Sequence, residues 1–370
     1  MPDGLVALVL HRVRLPLLEP FVAAHGTEHE RAVTLVEAVG DDGRSGWGEC
    51  VALSAATYTG EDADGAFRVL RDELGPAVLR ADADADAASV AAPMAWTALA
   101  GALTDLHLRR IGRSLAASIG GTRATVATTA VVGQRATPAA TVEAAARLVE
   151  AGHTSLKLKV MPGHDVDVIA AVRAAFPDVA LAADANGSYR GQASALDGVL
   201  RTAAGAGLQY LEQPLGAADL DGSAALARSM AGDDVVVALD ESIATPDDAR
   251  RAAATGAPFA VNLKPARVGG LDRAVEVLAV AVDAGWPVFV GGMLEAGVGR
   301  ALALATASWE ACVWPTDLGP SGRYFADDVT EPFELVDGAR LVVPSGPGLG
   351  VTPRPDRLAA ITVERVEVRP

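Results

Sequence analysis

The chain has 370 residues, half of them hydrophobic, with a formal net charge of −16 and a pI near 4.8. This length suits one large domain with a smaller one, and the acidity argues against a nucleic acid or an anionic membrane as a partner. Its two cysteines, Cys50 and Cys312, are far apart in sequence, so the chain has no zinc or redox motif of closely spaced cysteines.

The hydrophobic stretches are too short to predict a membrane segment. The longest uncharged run, Ala87 to Thr104, is interrupted by Pro93, and the apolar run at the N-terminus ends at His11. With no cysteine motif and no targeting segment, we expect a cytoplasmic protein.

Residues 1 to about 123 differ in pattern from the rest of the chain. The runs "VALVLHRVRLPL" and "RAVTLVEAVGDDGRSGWGEC" predict an antiparallel meander with a hairpin at "GDDGR", followed by helices. From about Ala124 onward, short β-rich runs alternate with alanine-rich amphipathic helices. In the first of these helices, Thr137 is the predicted N-cap, Pro138 takes the first helical position and Gly152 ends the helix.

Eight strand candidates between Val126 and Trp314 alternate with seven helices. The candidates are "TVATTAVV", "SLKLKV", "VALAAD", "LQYLEQP", "VVVALDES", "FAVNLKP", "PVFVGG" and "ACVW". This alternation predicts parallel strands joined by crossover helices, and eight strands favour a barrel. A doubly wound open sheet gives the same local signals, but no glycine-rich dinucleotide fingerprint supports it. After about Gly319 the alternation ends, and the tail is expected to return to the N-terminal domain.

Charged residues stand at the ends of successive predicted strands, where a parallel barrel places its active site. They are Lys157 and Lys159, then Asp184, Glu212, Asp240 and Lys264, followed by "GGMLE". From Lys159 onward they are separated by 25, 28, 28 and 24 residues, each step being one strand–helix unit. We therefore expect them at the same height on neighbouring strands, with lysines on both sides of three acids.

Three acids held this close repel one another and resist ionisation unless a cation neutralises them. A set of oxygen ligands without histidine or cysteine favours Mg²⁺ over zinc. An ion held in this way keeps positions open for a substrate oxygen. The pattern therefore predicts a magnesium site that binds an anionic substrate, most simply a carboxylate.

The flanking lysines predict proton transfer. Lysine has a reference pKa of about 10.4, which burial, a neighbouring ammonium and a divalent cation all lower. Such a base suits removal of the proton next to a carboxylate, giving an enediolate that the cation and the opposite lysine stabilise. Taken singly, each of these residues could equally be a helix cap or a surface charge, and for Lys157 a purely electrostatic or binding role is equally consistent with the pattern.

At this point the ordered pieces "KLK", "DAN", "EQP", "DES", "NLKP" and "GGMLE" resemble the enolase superfamily, in its muconate-lactonizing branch. The pieces "PFVAAHGTEHER", "GWGECVA", "TYTGE", "KPARVGG", "DVTEPF" and "PSGPGLGV" are similar to its o-succinylbenzoate synthase and N-succinylamino acid racemase group. The resemblance covers nearly the whole chain and implies an α/β fold: a (β/α)7β TIM-like barrel over 124–319. An N-terminal α+β domain over 1–123 would cap the barrel, and a C-terminal segment over 320–370 would complete the cap.

The resemblance also implies roles for individual residues. Asp184, Glu212 and Asp240 match the ligands of Mg²⁺, for which Mn²⁺ could substitute, and Lys159 and Lys264 match an acid/base pair on opposite faces of the substrate. Substrate-binding or supporting positions are expected at Lys157, Asn186, Glu241, Arg267, Gly292, Met293 and Tyr58. Arg267 matches an arginine associated with racemase competence, and Asn186 either touches the substrate or stabilises the turn after Asp184.

The expected function is o-succinylbenzoate synthesis in menaquinone biosynthesis, with N-succinylamino acid racemisation as a further activity. Ala24, His25 and Val131 depart from the family pattern beside the substrate and bear on succinyl specificity. Other reactions of the superfamily remain open: dipeptide epimerisation, sugar-acid dehydration and cycloisomerisation. So do a Schiff-base aldolase and a non-catalytic anion-binding barrel. Relatives commonly form dimers or octamers, which implies a homo-oligomer.

Overall fold

The computed structural model describes residues 4–23, 26–81, 90–232 and 235–369. The predicted departures at Ala24 and His25 lie outside these residues. The strands are β1 (Leu5–Ala23), β2 (Gly26–Gly40), β3 (Ser45–Cys50), β4 (Thr125–Ala127), β5 (Ala130–Val132), β6 (Ser155–Lys159), β7 (Ala180–Asp184), β8 (Tyr210–Glu212), β9 (Val236–Leu239), β10 (Phe259–Leu263), β11 (Val288–Val290), β12 (Leu335–Val336), β13 (Arg340–Val342) and β14 (Thr362–Val368).

The α-helices are α1 (Ala63–Val69), α2 (Gly75–Arg80), α3 (Pro93–Ile111), α4 (Leu115–Ser118), α5 (Pro138–Glu150), α6 (Val166–Ala175), α7 (Ala193–Gly205), α8 (Leu220–Ser229), α9 (Pro246–Ala254), α10 (Pro265–Val268), α11 (Leu271–Asp283), α12 (Gly297–Ala307) and α13 (Pro355–Ile361). A π-helical turn, Leu70–Leu74, joins α1 to α2, and a 3₁₀ turn covers Ser321–Arg323. No helix in these described ranges is long and apolar enough to cross a membrane.

The N-terminal sheet is antiparallel, with strand order β14-β1-β2-β3. The predicted meander is thus observed, with the turn of residues 41–44 joining β2 to β3, and the C-terminal strand adds to its edge. Alternate residues of β2 face opposite sides: Val36 packs with the core of the helices α1 to α3, and Leu35 packs with the core of the larger sheet. Both faces of this sheet are therefore covered.

The larger sheet contains seven parallel strands in chain order from β5 to β11, with helices between them. A doubly wound sheet would reverse its strand order at a switch point, and this sheet does not. Side chains alternate between two layers along the strands. Tyr210 and Phe289 belong to a small cluster on one face of the strands, while Leu211 and Val261 belong to the larger core. The fold is mixed α/β with a curled parallel sheet.

The prediction of "ACVW" as a regular eighth strand is wrong, because residues 311–314 form none. Instead, residues 314–317 bond to the edge strand β11 of this sheet and to β4, which belongs to a separate three-stranded sheet with β12 and β13. The amides of Trp314 and Asp317 donate to the carbonyls of Val288 and Val290 at 3.3 and 3.0 Å, and the Thr316 amide donates to the Ala127 carbonyl at 2.9 Å. Pro315 interrupts this ladder because proline has no amide hydrogen.

The predicted boundaries of α5 are confirmed. The Thr137 hydroxyl accepts a hydrogen bond from the Ala140 amide at 3.2 Å, and Pro138 is the first helical residue. Gly152 follows the helix with a φ of 98°, a left-handed conformation that glycine adopts without strain. Local capping chemistry therefore fixes where this crossover helix begins and ends.

Candidate active site

Most of the predicted site residues meet in one cavity at the carboxyl ends of the parallel strands. Its lining residues are Phe21, Glu28, Leu53, Tyr58, Val131, Lys157, Lys159, Asp184, Asn186, Glu212, Lys264, Gly292, Met293, Leu294, Asp317 and Tyr324. The other predicted residues, Asp240, Glu241 and Arg267, lie behind this lining and contact it. The N-terminal sheet and the parallel sheet both contribute walls.

Strand register brings the first of the charged residues side by side. Asp184 lies opposite Lys159 on one side and opposite Glu212 on the other. The residue opposite Glu212 is Ala238, so Asp240 lies two positions farther toward the loops. Lys159, Asp184 and Glu212 therefore share one height along the strands, as expected. Asp240 does not, because neighbouring strands in a tilted, curled sheet are staggered.

Lys157 is buried between two carboxylates. Its ammonium donates to Glu212 Oε2 at 2.7 Å and to Asp317 Oδ2. Burial acts to lower the pKa of Lys157, but Asp317 and Glu212 outweigh burial and raise the pKa well above its usual value. Lys157 is therefore a fixed positive charge and not a base in this arrangement.

Lys159 contacts the residues that follow the next strand. Its ammonium donates to Asp184 Oδ2 at 2.6 Å and to Asn186 Oδ1 at 2.7 Å. Asn186, at a φ of 43°, also donates from Nδ2 to Glu241 Oε1 at 3.0 Å. Asn186 thus links Lys159 to Glu241, while its role at the substrate or in the turn after Asp184 stays a prediction.

Lys264 approaches the cavity from the residue after β10. Its ammonium donates to Asp240 Oδ2 at 3.0 Å and to the Tyr58 hydroxyl oxygen at 2.7 Å. Arg267 donates to the same hydroxyl oxygen at 2.5 Å and also to Asp240. Tyr58, from the N-terminal part of the chain, thus completes a cluster of side chains around Asp240.

Charge and burial set the protonation of the acids. Burial and the carboxylates of Asp184 and Asp240 raise the pKa of Glu212 to about 8, although Lys157 opposes them. Burial, Asp240 and Asp184 likewise raise the pKa of Glu241 to about 7. Burial also acts to raise the pKa values of Asp184 and Asp240, but their cationic partners hold both values below the usual range.

The chemistry of these donors fits a divalent cation. Three buried carboxylates supply only oxygen ligands. Burial and the neighbouring carboxylates raise the pKa of Glu212, so a cation among them would favour its ionised form. Each acid accepts a hydrogen bond from an ammonium group, and no three acidic, histidine or cysteine side chains of the described ranges converge as a metal cluster. A cation would take over part of the role that these ammonium groups now play.

The sequence reasoning missed several residues of the site. Asp317 follows the eighth predicted strand, so the strand-end logic would have found it had it been applied there as well. Phe21, Leu53 and Tyr324 reach the cavity from outside the seven-stranded sheet. No motif contains Leu53 or Tyr324, and Phe21 lies in "PFVAAHGTEHER" but was not singled out as a site residue.

One glycine next to a predicted site residue has a structural role that was also missed. A Cβ on Gly291 would lie 2.6 Å from Lys264 Cε and would also clash with Asn262 Oδ1, whereas a Cβ on Gly292 would meet its nearest atom at 3.5 Å. There is therefore no room for a side chain at Gly291, whereas the predicted Gly292 has room for a methyl group.

Comparisons with known proteins identify the family to which this chain is related. A family model described as Enolase C-terminal domain-like matches residues 140–357. An N-succinylamino acid racemase from an Amycolatopsis species is 40% identical over 370 residues, covering 96% of this chain and 97% of that protein. An o-succinylbenzoate synthase from Geobacillus stearothermophilus is 37% identical over 354 residues, covering 93% of this chain and 92% of that protein. The solved structure of an N-succinyl Arg/Lys racemase from Bacillus cereus matches with a TM-score of 0.90 at 27% identity, covering 99% of this chain and 100% of that one.

Proposed function

The chain belongs to the enolase superfamily and is an enzyme, and from this membership we propose that it removes the proton α to a carboxylate with the help of Mg²⁺. The family resemblance of the sequence motifs is thereby confirmed. Membership implies a divalent metal cofactor, and Mg²⁺, or Mn²⁺ in its place, is the proposed ion. The reaction we favour is o-succinylbenzoate synthesis in menaquinone biosynthesis, with N-succinylamino acid racemisation at the same site.

The observation that carries the proposal is the placement of two ammonium groups around one cavity. Lys159 ends β6 and Lys264 follows β10, so β7, β8 and β9, whose ends carry the three acids, lie between them. Both lysines line the same cavity. This arrangement supports proton transfer from two directions to a carboxylate bound between them.

Asp184, Glu212 and Asp240 would hold the cation, whose charge would stabilise the negative charge that develops on the substrate carboxylate. Lys159 now donates to Asp184. With Asp184 holding a cation, Lys159 would lose this partner and would be placed to take the α-proton of the substrate. The buried ammonium of Lys157 adds positive charge close to the same oxygens.

In the synthase reaction, Lys159 takes the α-proton and then gives it to the departing hydroxyl group, which leaves as water. Lys264 stays protonated and stabilises the enediolate. In racemisation the two lysines exchange roles, since one removes the proton and the other returns a proton to the opposite face. Arg267 and Tyr58 contact Lys264 or Asp240 and would keep Lys264 oriented for either role.

The apolar wall of the cavity supports a substrate with a hydrocarbon part beside its carboxylate. This wall includes Phe21, Leu53, Met293 and Leu294. The names of two relatives, an N-succinylamino acid racemase and an o-succinylbenzoate synthase, both refer to compounds with a succinyl group. Val131 also lines the cavity, so the predicted departure at this position would face a substrate bound there. Other superfamily reactions, such as dipeptide epimerisation, sugar-acid dehydration and cycloisomerisation, remain alternatives that differ in this wall and not in the lysines.

Several structural expectations belong to the same proposal. We propose that the parallel sheet closes as a (β/α)7β barrel over 124–319. The hydrogen bond from the Thr129 amide to the Thr316 carbonyl at 2.7 Å supports this closure, because Thr129 directly precedes the edge strand β5. Residues 1–123 and 320–370 would form the cap, which the pairing of β14 with β1 supports. A homo-oligomer in the cytoplasm remains our prediction.

The test is exchange of the α-proton in deuterated water. The full chain is incubated with o-succinylbenzoate precursors, N-succinylamino acids, dipeptides and sugar acids, with Mg²⁺ or with a chelator. We expect exchange with succinyl compounds only when Mg²⁺ is present. Exchange with another acid alone would contradict the substrate assignment. Binding without exchange would favour the anion-binding barrel, and a borohydride-trapped adduct that survives the chelator would favour the aldolase.

A further inference from the structure

The carboxylate of Asp317 is buried next to Lys157, and its contacts indicate one function for it. Oδ2 accepts from Lys157 Nζ and, at 3.4 Å, from Asn262 Nδ2, whereas Oδ1 is buried without a hydrogen-bond partner among the described residues. Its main chain is fixed by a hydrogen bond from the Asp317 amide to the Val290 carbonyl at 3.0 Å. An acid buried in this way is costly unless a charge compensates it, and Lys157 is the cation it contacts.

Lys157 is shared between this acid and a proposed metal ligand. The ammonium donates to Glu212 Oε2 at 2.7 Å and to Asp317 Oδ2. Asn262 ties the two acids together, since its Nδ2 also donates to Glu212 Oε1 at 2.8 Å. Glu212, Lys157, Asn262 and Asp317 therefore form one buried unit.

The charge of this unit decides how well Glu212 can bind a cation. With Asp317 present, the ammonium of Lys157 is balanced by a carboxylate that is not itself one of the three proposed ligands. Without Asp317, the same ammonium would neutralise Glu212 alone and would repel a divalent cation at short range, where a low dielectric strengthens the repulsion. Removing Lys157 as well would remove that repulsion.

We propose that Asp317 is a positioning residue that holds the Lys157 ammonium partly away from Glu212 and so keeps the Glu212 carboxylate available to a divalent cation. The inference rests on the proposed function, since it takes Glu212 as a metal ligand. In this proposal, Asp317 affects cation binding through Lys157 and through no other charged side chain.

A double-mutant cycle with Mn²⁺ tests this, because free Mn²⁺ has an electron paramagnetic resonance signal that falls when it binds. The full chain is titrated as wild type, Asp317→Asn, Lys157→Met and the double variant. We expect Asp317→Asn to weaken Mn²⁺ binding by about tenfold or more, the usual effect of losing a partner of a metal ligand. We expect Lys157→Met to bind at least as tightly as wild type, and the double variant to regain the affinity of Lys157→Met.

The recovery in the double variant separates positioning from a structural defect, since a misfolded site would not be repaired by a second loss. Asp165→Asn, which removes a buried acid at the start of α6, is the matched control and should leave Mn²⁺ affinity unchanged. Wild-type affinity in Asp317→Asn, or no recovery in the double variant, would overturn the inference. So would weaker binding by Lys157→Met, a result that does not depend on the folding of Asp317→Asn. A wild-type chain that binds no Mn²⁺ would instead refute the proposed metal site, and this inference with it.

Discussion

Arg31, on the second strand of the N-terminal sheet, donates a hydrogen bond from Nε to the main-chain carbonyl of Leu294, at 3.2 Å. The same guanidinium, which is fully buried, also donates to the carbonyl of Val51 at 2.7 Å. Leu294 lines the active-site cavity and has a φ of 54°, a left-handed conformation that is unfavourable for a leucine. A side chain of the N-terminal sheet therefore fixes a strained loop of the active site.

Replacing Arg31 should weaken the fold and the site together. Arg31→Met removes the donors from buried carbonyls, and we expect the free energy of unfolding to fall by about 3 kcal/mol. Because the loop at Leu294 is released, KM for the substrate should rise as well. Urea unfolding and steady-state kinetics measure the two effects. Arg14→Met removes a half-exposed arginine of the same sheet and should change stability by less than about 0.5 kcal/mol. Equal effects of the two substitutions would contradict this role of Arg31.

Glu49 gives the fold a dependence on pH. Its carboxylate accepts hydrogen bonds from the amides of Ala296 and Gly299, both at 2.7 Å. Burial, together with the charges of Glu295 and Asp328, raises the pKa of Glu49 from 4.5 to about 7 despite these bonds. Between these two values the folded state keeps a proton that the unfolded state has released, so the free energy of unfolding falls as pH rises through this window.

Glu49→Gln should remove this dependence. Glutamine does not titrate, so its free energy of unfolding, measured relative to wild type, should rise by about 3 kcal/mol between pH 4.5 and 8. Any constant offset from the changed hydrogen bonds cancels in this comparison. Urea unfolding of both proteins at several pH values provides the measurement, and parallel pH curves for the two proteins would show that Glu49 does not carry the effect.

The parts of the site that the sequence predicted depend on short-range rules. The alternation of side chains places Lys157 and Lys159 on one face of a strand, and parallel pairing then sets Asp184 beside Lys159 and Glu212 beside Asp184. The boundaries of the crossover helix that starts at Pro138 also follow from local capping. These features need no knowledge of how distant parts of the chain meet.

The missed parts depend on long-range geometry. Asp317 could have been listed as the acid after the eighth predicted strand, but that segment is not a regular strand, and only its bonds to β11 and β4 place Asp317 at the cavity. The offset of Asp240 arises from the stagger between strands, which depends on the tilt and curl of the whole sheet. Tyr58 was identified only from a family motif, since its contact with Lys264 spans 206 residues of sequence.

The two lysines should divide the chemistry of racemisation between them. If Lys159 and Lys264 serve opposite faces of the substrate, Lys159→Met should slow exchange of the α-proton from one enantiomer, and Lys264→Met from the other. We expect each loss to be about a thousandfold, within the usual range for removing a general acid or base. Exchange followed by nuclear magnetic resonance in deuterated water, with each pure enantiomer of an N-succinylamino acid, measures this. Loss of exchange from the same enantiomer in both variants would contradict the two-face arrangement.

Adjacent glycines in "GGMLE" provide a matched pair for testing how closely Lys264 is packed. An added methyl group at Gly291 would lie 2.6 Å from Lys264 Cε, within van der Waals overlap, whereas the nearest atom to a methyl group at Gly292 would be Glu295 Oε1 at 3.5 Å. The same methyl group would clash with Asn262 Oδ1, so Gly291→Ala must displace Asn262 and either Lys264 or the main chain. We expect it to cost about 1–3 kcal/mol of stability and to lower kcat at least about tenfold. Gly292→Ala should leave the free energy of unfolding within about 0.5 kcal/mol of wild type, since an ordinary contact replaces open space. Urea unfolding of both variants, with kcat for Gly291→Ala, decides the matter. Unchanged stability and kcat in Gly291→Ala would mean that Lys264 has more freedom than its contacts with Asp240 and Tyr58 imply.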